Sequence, residues 1–274
     1  MHNIFRLYLS ISLLALASAA QAQKAEWTEV IYSMEVRDDQ SVKEVKGELL
    51  KIARQKAVEN ISGINVSTAS LSNDAWEVSG DDNNFFQSFK VLSNVSSQGL
   101  IVEENEPVYT KLENDHQKIT YKAKVAKPTA TNDPGFSLTV EMNKKVFQIG
   151  EELKLTVNCT KNAFLTIFAI YEDEKAGVIF PSKGMKDNQL KALQPRIIPN
   201  ASEDPHFEML PSPDGLEKYS EVLLFVITKK EVLFQQLEND VNYNATWLDI
   251  NQWLMKIPSD QRAVAYSQYQ VMGK

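Results

Sequence analysis

Apolar and polar positions change rhythm several times along this chain, and each change marks an element. In "EWTEVIYSMEV" (26–36) they alternate with a period close to two, as in a strand with one wet face. "DDQ" breaks that rhythm. In "SVKEVKGELLKIARQKAVENISG" (41–63), Val45, Leu49, Ile52, Ala53, Ala57 and Ile61 then recur at helical spacing on one broad face, interrupted by Lys56. Ser41 and Glu44 have the spacing of a capping box, in which hydroxyl and carboxylate satisfy the first free amides. Gly63 suits the left-handed residue that ends a helix. Strand-like segments follow at 64–71, 84–97, 100–113 and 118–126. One long helix followed by strands predicts a small α+β domain whose helix covers one face of its sheet.

"KPTATNDPG" (127–135) holds two prolines, a glycine and little that could be buried, and reads as a linker. Beyond it the chain turns to short apolar segments punctuated every ten residues or so: 136–142, 151–160, 163–172, 177–181, 207–210 and 219–228. That spacing predicts a mainly antiparallel β-sandwich. "TWLDINQWLMK" (246–256) reads as a helix capped by Thr246 and stopped by Pro258, and "RAVAYSQYQV" (262–271) as a closing strand. Trp247, Leu248, Trp253 and Leu254 are too apolar for a solvated tail, so 136–274 is expected to be one folding unit. The fold class is therefore α+β, with a one-helix domain at 23–126, a linker at 127–135 and a β-sandwich domain with a C-terminal helix and strand at 136–274.

Composition changes the picture at both ends of the chain. Residues 1–22 have the layout of an export leader: Arg6, the apolar stretch "LYLSISLLALASAA" (7–20), and Ala20-Gln21-Ala22 as a cleavage site. The stretch is shorter than the roughly 20 residues that span a bilayer, and no later segment is long and apolar enough. The expected location is the periplasm or the exterior. Formal charge is −7, one unit more negative once Arg6 is removed, and no basic run is present. Nucleic-acid binding needs a positive stripe to displace counterions, so that class is excluded.

Candidate chemistry is sparse. Pro181-Ser182-Lys183-Gly184 superficially resembles a phosphate loop, but one glycine, no following Ser or Thr and no helix leave nothing for converging amides. The stretch 163–181 is instead two strands joined by the acidic turn "EDEKA". Cys159, the sole cysteine, alternates with polar neighbours in "ELKLTVNCT" and belongs to a buried strand face as a small hydrophobe. His116 sits in the polar turn "ENDHQK" and His206 in the loop "EDPHFEML". No Gly-x-Ser-x-Gly elbow accompanies them. "YEDE" (171–174) and "SEDPH" (202–206) lack the ligand spacing of a calcium loop. No catalytic residue, metal ligand or cofactor site is assigned.

Two stretches resemble bacterial families. "VFQIGEELKLTV", then "FLTIFAIYEDEKAGVIFPS" with "DNQL", then "IIP" and "PDGLEKYSEVLLFVITK" make 136–230 similar to domain of unknown function 4384, an envelope-associated β-rich domain. The likeness departs at Ser182, where the family pattern has asparagine. "ARQKAVENISGINVSTAS" and "SSQGLIVEENEPVYT" with "KITYKAKVA" make 41–126 resemble the N-terminal domain of flagellar assembly protein T and its relatives. These resemblances imply an envelope location and an interaction role, and they carry over no functional residue.

The resulting expectation is a non-enzymatic envelope protein that binds an envelope protein or polymer. The irregular stretch 182–213 is read as its binding loop, with Met185, Leu190 and Leu193 as contact residues. The same stretch reads alternatively as packed on the sandwich, with Ile197-Ile198 as an edge strand. Two rival functions stand beside it: an envelope hydrolase using His206 and loop carboxylates, and a structural subunit of a larger assembly.

Overall fold

The computed structural model describes residues 24–63, 99–128, 130–171, 174–200, 206–212, 215–234 and 245–273. The leader expected at 1–22 and the strands expected at 64–71 and 84–97 lie outside the described residues.

The partial alternation near the start becomes strand β1 (Ala25–Glu35), where Val30 is buried and its neighbour Ile31 is exposed. The predicted capping box starts helix α1 (Val42–Ser62): the Glu44 N–H donates to the Ser41 hydroxyl, and the Ser41 N–H donates to the Glu44 carboxylate. Gly63, at φ 73°, ends it, because a residue without Cβ takes left-handed backbone without a clash. Val45, Leu49, Ala53, Ala57 and Val58 form the buried stripe of α1. The stripe packs on a sheet centred on strand β4 (His116–Ala126). β1 runs antiparallel along one edge of β4, and β2 (Leu100–Glu104) and β3 (Val108–Lys111) share the other. The single strand expected over 100–113 is thus two, separated at Pro107, which has no N–H to give the ladder.

The second half supplies β5 (Leu138–Met142), β6 (Val146–Gln148), β7 (Glu152–Leu153), β8 (Leu155–Cys159), β9 (Ala163–Ile170), β10 (Lys175–Phe180) and β11 (Gln189–Leu190). It continues with β12 (Arg196–Ile198), β13 (Phe207–Glu208), β14 (Lys218–Thr228), β15 (Ala245–Thr246), helix α2 (Trp247–Met255) and β16 (Arg262–Met272). Among the described residues the central sheet runs β15-β10-β9-β14-β16-β6, with β11 also paired to β9. A second sheet runs β12-β8-β5, and β7 pairs with β13 in a small ribbon. Among the described residues every pairing is antiparallel except that of β6 with β16.

The central strands β9 and β14 are buried almost continuously, because each face of their sheet is covered. On the inner face, Leu165, Ile167, Leu223, Phe225 and Ile227 meet Leu155, Val157 and Cys159 of the second sheet. This is a sandwich core, and it contains the predicted Cys159. On the outer face, Phe168, Val222, Leu224 and Val226 are covered by Ile250, Trp253 and Leu254 of α2. Leu100, Val102 and Ala126 join that second cluster, so α2 lies between the central sheet and the N-terminal sheet. The Asn251 and Gln252 amides of α2 donate to the carbonyls of Ile101 and Val102 at 3.0 and 2.8 Å, where the β2–β4 register slips. Arg262 of β16 closes the other end of α2 by donating to the Leu254 and Ile257 carbonyls.

Trp247, at the first position of α2, lies in the core beneath α1. The Arg54 guanidinium of α1 sits 5.1 Å from its ring centroid. Arg54 is itself buried and pairs with Glu104 of β2 and Glu174 of the β9–β10 turn. Burial works to lower its pKa, but the hydrogen bonds and charges of the two carboxylates outweigh it and leave Arg54 held well above its ordinary value.

The described parts of the stretch expected to be a loop, 182–200 and 206–212, are woven into the sandwich. β11 adds to the edge of β9 and β12 to the edge of β8, which carries Met185, Leu190 and Ile198 into the core. The short strand β6 was not anticipated, because three residues are too few to show a period.

Two outcomes follow for folding. Removing everything after Lys230 deletes β16, paired with β14 along its whole length, and uncovers the outer face of the central sheet. The truncated chain is expected to lose its cooperative thermal transition. In the ion cluster, Arg54→Met leaves two carboxylates facing each other and should cost about 3–5 kcal/mol in denaturant unfolding. Glu104→Gln should cost more than Glu174→Gln, because their side chains are 15 % and 40 % exposed.

Candidate binding cleft

The alternation that builds the sandwich core continues to the end of the central sheet, and there it places polar groups where aliphatic ones would continue the core. Along β14 the inward positions read Ile227, Phe225 and Leu223, and then Glu221 and Tyr219. Along β9 they read Leu165, Ile167 and Ala169, and then Tyr171. On β16 the corresponding residue is Tyr269, the register partner of Glu221. The β7–β13 ribbon stands opposite and contributes Leu153 and Phe207. A cleft of about 360 Å³ lies between these walls.

Its polar lining comprises Tyr171, Tyr219, Tyr269, Glu221, Ser182 and His206, with Glu208 also on the ribbon side. Ser182 lies two residues past the end of β10, after Pro181, and His206 directly precedes β13. The Tyr269 hydroxyl donates to Glu221 Oε2, and the Tyr269 ring stacks edge-on against Phe147 at 5.6 Å. The Tyr219 hydroxyl donates to the Leu210 carbonyl at 2.5 Å and so fastens the segment after β13 to the start of β14. The Ser182 hydroxyl oxygen is shielded from solvent and has no hydrogen-bond partner among the described residues.

Electrostatics in the cleft follow from burial. Desolvation raises the pKa of Glu221, and the Tyr269 hydrogen bond only partly opposes it. Tyr219 is pushed up to about 12, first by burial and then by the neighbouring Glu221 charge. Tyr269 is held well above its usual range by the same two causes. Among the described residues the Glu221 carboxylate has no cationic partner.

Residues 146–230 match the family described as "Domain of unknown function (DUF4384)". The matched segment contains β6 to β14 and every described lining residue of the cleft except Tyr269, which the terminal strand supplies. No curated protein matches the chain. Among solved structures, the chain is similar at a TM-score of 0.26 and 10 % identity to the crystal structure of Spo0M, a sporulation control protein from Bacillus subtilis. That similarity covers 52 % of this chain and 51 % of the other, so the chain spans about half the length of that protein.

Within the DUF4384 segment the residues expected to contact a partner separate. Met185 and Leu190 are each 2 % exposed and pack in the sandwich core, which removes them from any binding surface. Leu193 is 71 % exposed, on the turn between β11 and β12. The physical reason is the pairing of β11 with β9, which turns the flanking apolar side chains inward. His206 lines the cleft, with Nδ1 3.9 Å from Glu152 Oε1, whereas the loop carboxylates Glu203 and Asp204 lie outside the described residues. His116 is remote from it, at the start of β4, with Nδ1 2.8 Å from the Asn114 carbonyl oxygen. Among the described residues no group of three or more His, Cys, Asp and Glu side chains could hold a metal ion. Sequence reasoning missed the cleft. Its legible trace was Glu221, a charged residue in line with the inward Leu223, Phe225 and Ile227 of β14.

The raised pKa of Glu221 has a measurable sign. The folded state keeps this proton to a higher pH than the unfolded chain, whose carboxyl titrates near the ordinary 4.5. The carboxyl therefore contributes its full stability below that value and loses it as pH rises through the folded pKa. Glu221→Gln should melt above the parent protein at neutral pH, and the gap should close on acidification to about pH 4. A gap that is the same at both pH values would contradict this account.

Proposed function

We propose that the chain is an exported, non-enzymatic recognition protein of the bacterial cell envelope, and that the cleft at the end of its sandwich holds part of an envelope protein or polymer. The observation that carries this reading is the make-up of the cleft. Its apolar lining gives a ligand area to bury, and the hydroxyls of Tyr269 and Tyr219 are engaged in fixing the walls. A cleft of about 360 Å³ falls at the small end of ligand sites, roughly 300–1,000 Å³. The leader pattern in residues 1–22 supports export. The resemblance of 41–126 to the N-terminal domain of flagellar assembly protein T supports an envelope role, although flagellar function does not follow from it. No helix among the described residues is long and apolar enough to cross a membrane.

A hydrolase is the competing reading, favoured by the presence of both His206 and Ser182 in the same lining. Two variants separate them. Leu210→Trp, at an exposed position of the lining, obstructs the cleft and should abolish retention of the envelope partner on a column of the immobilised protein, with the melting temperature unchanged. His206→Ala should leave retention and the phenotype of the parent organism unchanged. Loss of phenotype in His206→Ala with retention intact would hand the cleft to catalysis. For export, N-terminal sequencing of the protein recovered from the periplasm should begin at Gln23, and an intact leader on all of it would contradict that part of the reading.

A further inference from the structure

We propose that the ligand group taken by this cleft is a primary ammonium on an aliphatic stem, as a lysine side chain of a polypeptide presents it, with Glu221 as its anionic anchor. The inference rests on the reading of the cleft as a recognition site and names what is recognised.

The argument starts from the unbalanced charge at Glu221. An ionised carboxylate offers about four lone-pair sites, and among the described residues one hydroxyl, that of Tyr269, occupies them. The described lining holds Glu221 and Glu208 and no lysine or arginine. Withdrawing a carboxylate from water without a counter-charge is unfavourable, and a cation that enters the same low-dielectric space offsets it. An anionic ligand would face two carboxylates, and a neutral one would leave Glu221 uncompensated.

The remaining lining suits the rest of such a group. Tyr171, Tyr219 and Tyr269 share the lining with the carboxylate, and electron-rich rings attract a cation placed against them. The Ser182 hydroxyl, which has no hydrogen-bond partner among the described residues, is a further acceptor in the same lining for a group that carries three N–H donors. Leu153, Ala169 and Met209 offer an apolar wall for a methylene stem, the side-chain design in which the stem is buried and the charge is paired. The volume of the cleft accommodates one side chain rather than a folded surface.

The test uses the mature chain and three blocked amino acids: Nα-acetyl-lysine amide, Nα-acetyl-arginine amide, and Nα-acetyl-norleucine amide as the neutral probe with the same stem. Binding is read from the ring resonances of Tyr171 and Tyr219. The lysine probe should bind at least about tenfold more tightly than norleucine, and Glu221→Gln should reduce it to the norleucine level. Its preference over norleucine should also weaken with added salt, which checks the charge without any substitution if Glu221→Gln fails to fold. Equal binding of lysine and norleucine overturns the cation while leaving a recognition cleft in place. A stronger response to the arginine probe overturns the ammonium and assigns a guanidinium. Ring resonances silent to all three probes overturn the inference, and if Leu210→Trp still abolishes partner retention, the cleft recognises a different chemistry.

Discussion

A single guanidinium sits where the two halves of the chain meet. Arg54 projects from α1 and is buried, so its charge must be met inside the protein. Glu104 meets it from β2 through Nε and Nη2, and Glu174 meets it from the β9–β10 turn through Nη1 and Nη2. The Tyr121 hydroxyl donates to Glu104 in turn, and burial with the adjacent Glu104 charge keeps that phenol well above its ordinary pKa. A buried ion pair adds little net stability compared with apolar packing, but it does not tolerate a displaced partner. Its effect is to fix which groups meet, and here those groups come from residues 50 and 120 positions apart.

That constraint reaches the cleft through the β9–β10 turn. Glu174 holds left-handed backbone at φ 63°, its N–H donates to the Tyr171 carbonyl at 3.0 Å, and its own carbonyl accepts from the Trp247 N–H at 3.2 Å. The same turn therefore carries an ion-pair partner of α1, the first residue of α2 and a tyrosine of the cleft. Few residues tolerate such a conformation without an external hold, and Arg54 with Trp247 supplies one.

The central sheet divides its two faces between two tasks. Odd-numbered positions of β9 and β14 build the sandwich core and end in the cleft. Even-numbered positions build the cluster beneath α2, where Phe168, Phe234 and Trp253 pack edge to face. Period-two alternation makes this allocation automatic, and a shift of one residue in β14 would exchange the two sets.

Local patterns in the sequence determined a large part of this. Ser41, Glu44 and Gly63 bounded α1, Thr246 capped α2, and the alternation from Leu153 to Cys159 put the thiol in the core, because each depends on neighbours within a few residues. Tertiary structure alone decided the rest. Met185 and Leu190 resemble loop residues until β11 finds the edge of β9, a pairing too short to leave a period. Arg54 is an ordinary helix cation until Glu104 and Glu174 arrive from elsewhere in the chain. Glu221 stands at an inward position of β14, but its meaning depends on Tyr171, Tyr269 and the β7–β13 ribbon, which the fold brings to one place. Short-range chemistry is written in adjacent letters, whereas a cleft is made by walls that meet only after long loops have closed.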